Sequence, residues 1–190
     1  MNLKSFVAVA MSVSLLGGCA IYDNRTSADK FVYSQDESQT AVIILSAGAV
    51  QNCISASTRL KLLASTSLYN ADVFAFLPVD GAAIKSEFSD HHGYLHVVRL
   101  NPGSYYFAPF IMNPYVMMTA ASRADFSVSA GEVVYLGEYF LGQACGIQNS
   151  ATFRDQSERD LALLKLKNPI LASASIKKRL LKVTGQAPFK

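Results

Sequence analysis

Three histidines, His91, His92 and His96, fall within six positions and directly follow Asp90. Imidazole nitrogens and carboxylate oxygens are donors that zinc and copper accept. On an extended strand, side chains alternate between faces. His92 and His96 then share one face with Tyr94 between them, and His91 points the other way. Two readings stand for this group: a small zinc or copper site on His91, His92 and His96, or a polar hairpin tip with hydrated rings. No His-Glu-x-x-His pattern supports a hydrolytic metal centre.

Other chemistries have less to build on. There is no Gly-x-Ser-x-Gly elbow, no Cys-x-x-Cys pair and no glycine-rich phosphate loop. Glu132 and Glu138 are near in sequence but follow strand-and-turn logic, so they read as solvent-facing rather than as an acid–base pair. The stretch from Tyr105 to Met118 is aromatic and methionine-rich, yet Pro109 and Pro114 interrupt it. Its latter part reads as an apolar loop that either covers one end of the domain or meets a partner through Tyr115, Met117 and Met118. The chain is thus expected to be non-catalytic and to need no cofactor.

Any such group must be positioned by strands. Of the residues, 51% are hydrophobic, which disfavours disorder. Phe and Tyr are frequent and recur in short runs with β-branched residues. Ala41 to Leu45 is a compact apolar run, expected to be buried on both faces. Val50 to Ile54 and Leu60 to Ala64 read as further strands or one irregular segment. Ala71 to Leu77 reads as a strand ending at Pro78, with Ala83 to Phe88 as its hairpin partner across Asp80-Gly81. Tyr94 to Leu100 and Ser104 to Ile111 read as two strands about the turn Asn101-Pro102-Gly103. Phe126, Val128, Val133 and Tyr135 alternate as though on one buried face about Ala130-Gly131-Glu132. Gly146 to Phe153 adds an edge strand.

A helix then starts at Asp155 as N-cap, with Glu158 reaching back. Leu161, Leu163, Leu164 and Leu166 give it an apolar side, and Asn168-Pro169 stops it. Ser173 to Val183 reads as a short strand or extended segment, and Thr184 to Lys190 as a loose tail. Charge is uneven: residues 19–156 carry net −4 and residues 157–190 net +6. The basic end suits a solvated face or an acidic partner.

The amino-terminal stretch explains where the chain works. Lys4 precedes an apolar run from Phe6 to Leu16, the length of a signal-peptide core and too short to span a bilayer. Leu16-Gly17-Gly18-Cys19 comes next and resembles the lipobox of bacterial lipoproteins. That resemblance implies a diacylglycerol and an N-acyl chain on Cys19, with cleavage before it. Ala20, where an Asp would retain such a protein in the inner membrane, implies the outer membrane. A nucleic-acid partner is not expected for an exported chain; the membrane, through the lipid, and another envelope protein are. With Cys19 acylated, Cys53 and Cys145 are the remaining thiols, delivered to an oxidising compartment and expected to form a disulfide.

Leu100-Asn101-Pro102-Gly103-Ser104-Tyr105 looks like the Leu-x-Pro-Gly-x-Tyr hairpin of transthyretin-like and carboxypeptidase-regulatory-like β-sandwiches. With the Phe126–Gly137 block, it resembles a group of uncharacterised Gram-negative lipoproteins. The expected fold is mainly β: an antiparallel β-sandwich, Ig-like or transthyretin-like, of roughly seven to nine strands with a short C-terminal helix. The expected division is a lipoprotein signal peptide at 1–18, a lipidated flexible tether at 19–39, the sandwich at 40–154, and the helix with a basic tail at 155–190.

Overall fold

The apolar run at Ala41 forms a nine-residue strand, β2 (Ala41–Ala49), in which every residue is buried. Burial on both faces requires a layer on each side, and the structure supplies both. The computed structural model describes residues 25–34, 38–53, 57–66, 73–81, 85–113, 115, 121–142 and 151–187. Within them lie β1 (Arg25–Ser27), β2, β3 (Thr58–Ala64), β4 (Val73–Pro78), β5 (His92–Leu100), β6 (Gly103–Ile111), β7 (Ala121–Val128), β8 (Val133–Leu141) and β9 (Ala151–Arg154). Two helices follow, α1 (Ser157–Lys167) and α2 (Pro169–Ala172), then β10 (Ile176–Lys178) and β11 (Gly185–Ala187).

The chain is mainly β, with two sheets and a short helical layer. One sheet has the order β1-β5-β2-β8-β10, with β9 also on β8; the other is β11-β7-β6-β3-β4. Pairings are antiparallel except β2 with β8 and β8 with β10, which are parallel. The main core draws on both sheets: Ile43, Leu45, Val98, Leu100, Val134 and Leu136 from the first, Leu60, Leu62, Leu77, Phe107 and Phe126 from the second. The other face of the first sheet, with Val42, Ile44, Val97 and Tyr135, packs against Leu164 of α1 and Leu171 of α2. Each of those leucines is fully buried. Burial of one such side chain contributes about 1.5–3 kcal/mol, enough to hold a short helix that would not form alone.

Several expectations change. The turn at Asn101-Pro102 does not close a hairpin. It carries the chain from β5 in the first sheet to β6 in the second. Turn chemistry marks a reversal but not whether the flanking strands pair. Here both strands aim residues into the shared core, and the Tyr105 hydroxyl fastens the crossing by donating to Asn101 O at 2.8 Å. β7 to β8 crosses back in the same way. Among the described residues of Ala83 to Phe88 there is no strand; β4 pairs with β3, and Ser86 Oγ lies within hydrogen-bond reach of the carbonyls of Phe88 (3.1 Å) and His91 (3.0 Å).

The fold also begins earlier and ends later than its pattern suggests. Part of the expected tether is structure: β1 pairs with β5, and Ala28 and Phe31 enter the core under the helices. Part of the expected loose tail is β11, paired with β7, while Leu181 fills the main core. Helix α1 starts at Ser157 with Gln156 at the N-cap and no side-chain cap; Asp155 accepts from Ser157 N at 3.1 Å. Its buried positions are Asp160 and Leu164, while Leu166 is 83% exposed. Asn168 ends α1 and caps α2, accepting from Leu171 N at 3.0 Å and donating to Ala28 O and Phe31 O.

One irregularity decides which way the second half of β8 faces. Ile44 lies opposite Tyr135, but Ser46, two residues on, lies opposite Glu138, three residues on. The extra residue on β8 is a bulge, and a one-residue shift reverses the faces of every later side chain. Before it, Val133 and Tyr135 face the helices and Val134 and Leu136 the main core. Phe126 and Val128 therefore share their cluster with Val134 and Leu136, not with Val133 and Tyr135 as the alternation suggested. After the bulge, Glu138 takes the helix side and Tyr139 the core side. Gly137, at φ +95°, makes the shift possible. A Cβ there would sit 2.8 Å from Arg154 O. Gly137→Ala is expected to cost about 1–3 kcal/mol in urea denaturation. Gly103→Ala, whose Cβ meets nothing nearer than 3.5 Å, should leave the midpoint nearly unchanged.

Candidate functional site

The bulge places a carboxylate where the helical layer meets the first sheet, and side chains from β9, α1 and the segment before β5 converge on it. Glu138 is fully buried. Its Oε1 accepts from Arg159 Nη2 at 2.9 Å and from His91 Nε2 at 2.7 Å; its Oε2 accepts from Arg154 Nε at 2.9 Å. On the first turns of α1, Asp160 is equally buried. Its Oδ2 accepts from Ser46 Oγ at 2.6 Å and Tyr135 OH at 2.7 Å, and its Oδ1 from Arg159 Nε at 2.9 Å and Nη2 at 2.8 Å. Arg159 thus bridges both carboxylates. Its guanidinium lies 3.7 Å from the Phe88 ring centroid, and that of Arg154 lies 3.4 Å from Phe140.

His91 closes the outer side. Its Nδ1 lies 2.9 Å from Asp90 Oδ1, so the ring spans two carboxylates. The ring lies between Phe88 and Phe140, with centroids at 5.0 and 5.3 Å. Gly48 makes room for it: a Cβ there would lie 2.8 Å from His91 Cδ2 and 2.6 Å from His92 O.

Electrostatics follow from burial and pairing. Burial raises the Asp160 carboxyl above its ordinary range, against the pull of its donors Ser46, Tyr135 and Arg159. Burial opposes the Arg159 charge, but hydrogen bonds and charge from Glu138 and Asp160 outweigh it and hold the guanidinium above its usual value. Burial, reinforced by the charge of Asp160, pushes the Tyr135 hydroxyl far up, so it stays a donor.

Chemically, this arrangement is a fastener. Every oxygen of Glu138 and Asp160 already accepts from a donor of the same chain. Ser46 Oγ donates to Asp160 and is fully buried. Glu138 is thus corrected from solvent-facing to buried. Glu132 is corrected too, at 7% exposure, accepting from Arg179 at 2.7 Å and Lys177 at 3.2 Å. The residues that sequence reasoning missed are Ser46, Arg154, Arg159 and Asp160. Only Asp160, four positions before Leu164 on the apolar side of α1, left a signal.

The three histidines are not gathered. His92 and His96 do flank Tyr94, with ring centroids at 5.2 and 6.2 Å. His92 Nε2 lies 2.9 Å from Tyr94 OH, and His96 Nε2 donates to Pro78 O at 3.1 Å. Desolvation lowers the His92 pKa against the charge of Asp80. His91 belongs to the Glu138 network on the opposite face. Among the described residues, no group of three His, Cys, Asp or Glu side chains is placed to hold a metal ion.

Of the other expected sites, Tyr115 is 93% exposed and stands near Met112, itself 55% exposed, and Phe110 at 36%. Met117 and Met118 lie outside the described residues, as do Cys19 and the whole of 1–18. Cys53 is buried and disulfide-bonded, while Cys145 lies outside the described residues. No family model matches this chain, and no curated protein matches it. Among the described residues, no helix is long and apolar enough to cross a membrane.

Arg159→Leu removes the cation shared by two buried carboxylates. The expected loss of unfolding free energy is about 3–5 kcal/mol. Guanidinium titration followed by circular dichroism measures it, and a loss below about 1 kcal/mol would show that the network carries no weight.

Proposed function

We propose that this chain is an outer-membrane lipoprotein, held by a diacylglycerol and an N-acyl chain on Cys19. Its two sheets form a sandwich of the Ig-like or transthyretin-like type that acts as a non-catalytic binding or assembly module facing the periplasm. The observation that carries this reading is Leu16-Gly17-Gly18-Cys19 at the end of a short apolar leader. The charge network supports the non-catalytic part, because its carboxylates are spent on donors within the chain. The partner is another envelope protein, met through Tyr115, Met117 and Met118; of the described residues in this stretch, Phe110, Met112 and Tyr115 present apolar surface to solvent. Several acyl chains bind a membrane firmly where one binds marginally.

Cys19→Ala should abolish incorporation of labelled palmitate and release the domain from membranes or trap its precursor. The wild type should fractionate with the outer membrane, since Ala20 is no retention signal; palmitate uptake by the variant, or wild type solely in the inner membrane, would sink the proposal.

Cys53 and Cys145 form the bridge in this reading. Alkylation of the unfolded, unreduced mature chain should spare both thiols and label both after reduction. Closing so long a loop is worth about 4–5 kcal/mol on the chain-entropy model.

A further inference from the structure

The point at which the amino-terminal segment joins the fold sets how the domain stands on a bilayer. β1 runs antiparallel to β5, with Arg25 opposite Val98 and Ser27 opposite His96. β1 therefore enters the sheet from the side of Leu100. That is the end of the domain where Asn101-Pro102 and Ser129–Glu132 cross between the sheets, its arch end. Arg25, Val98, Ile43, Val134 and Lys177 form one row across the first sheet close to that end. At the far end lie Ala49, His92 and Ile111, followed by Met112 and Tyr115. The nine residues of β2 span about 26 Å between the two ends.

Six Cα steps separate Cys19 from Arg25, a reach of at most about 20–22 Å. To bring the far end to the bilayer, that segment would have to double back along β5 from Val98 to His92. That path alone is about 20 Å, which exhausts the reach before the level of Tyr115. Bringing the arch end down uses none of it. The turn residues there, Asn101, Pro102, Gly103, Ser129, Ala130 and Gly131, are exposed and uncharged, so they neither repel nor bind anionic headgroups strongly.

We infer that the arch end is the membrane-facing surface and that Phe110, Met112 and Tyr115 are held at the opposite end, about 26 Å further out. This rests on lipid attachment at Cys19. The lipid surface is the arch end's partner; the far end is kept beyond contact with it.

Energy transfer to a bilayer tests this. Asn101 or Tyr115 is replaced by an alkyne-bearing amino acid and clicked to a donor dye. Vesicles of phosphatidylethanolamine and phosphatidylglycerol carry an acceptor on their headgroups. One arm uses the acylated protein made in cells; the other uses the mature chain joined through the Cys19 thiol to a maleimide lipid. Transfer is expected to be strong from position 101 and weak from position 115 in both arms. Inserting about fifteen Gly/Ser residues after Cys19 should shrink the difference. Equal or reversed transfer in the maleimide arm would overturn the orientation. Vesicle binding absent from the first arm alone would overturn the lipid anchor and leave the tether geometry standing.

Discussion

A single extra residue in β8 sets the face on which a buried charge lies. With regular alternation, position 138 would point into the apolar core between the sheets, where an ionised carboxylate has no partner. The bulge at Gly137 turns Glu138 to the helical side instead. A carboxylate taken out of water costs several kcal/mol unless donors replace the lost hydration. Arg154 at the end of β9 and Arg159 in the first turns of α1 supply them. The position of the helix over the sheet is thereby tied to the register of β8. Tyr139, turned inward by the same step, fills the core and stacks edge-on against Phe153 of β9.

The layer so fixed explains the burial of β2. One of its faces packs on the second sheet; the other packs on Leu164 and Leu171. Asn168 completes the arrangement by ending one helix, starting the next and holding the carbonyls of Ala28 and Phe31. Four strands, β1, β9, β10 and β11, have only three or four residues each and border the long strands β5, β8 and β7. Short borders of this kind give a neighbouring chain little backbone to pair with. The basic segment at β10 is held by the same logic, since Lys177 and Arg179 both reach the buried Glu132.

The strand class of the chain was legible because its apolar runs are short, aromatic and β-branched. Ala41–Leu45 and Tyr94–Leu100 carry their burial in their composition alone. Strand partners were not legible, because the turn at Asn101-Pro102 has the same residues whether it joins neighbours in one sheet or crosses to another. The bulge was hidden for a related reason: with Val133 and Tyr135 read as inward, plain alternation sends Glu138 outward, and only pairing with Ser46 reveals the shift. The charge network was illegible because its members come from β2, the segment before β5, β8, β9 and α1. The histidine triplet drew attention by proximity in sequence, yet alternation sends His91 and His92 to opposite faces.

Charges occupy this junction because of what an apolar replacement could not do. Were the whole cluster apolar, a leucine at 138 would pack on either face, since the rest of the core between the sheets and of the helical interface is apolar. Two registers of β8 against β2 would then lie close in energy. A carboxylate separates them: facing Arg154, Arg159 and His91 it is satisfied, and facing Leu45 and Phe107 it is not. The gain in raw stability from such a buried cluster is small once desolvation is counted, but the gap between right and wrong register is several kcal/mol. Asp160 plays the same part for the helix, because a slip along its axis would lose Ser46 and Tyr135 together. The network therefore acts on the uniqueness of the fold more than on its depth.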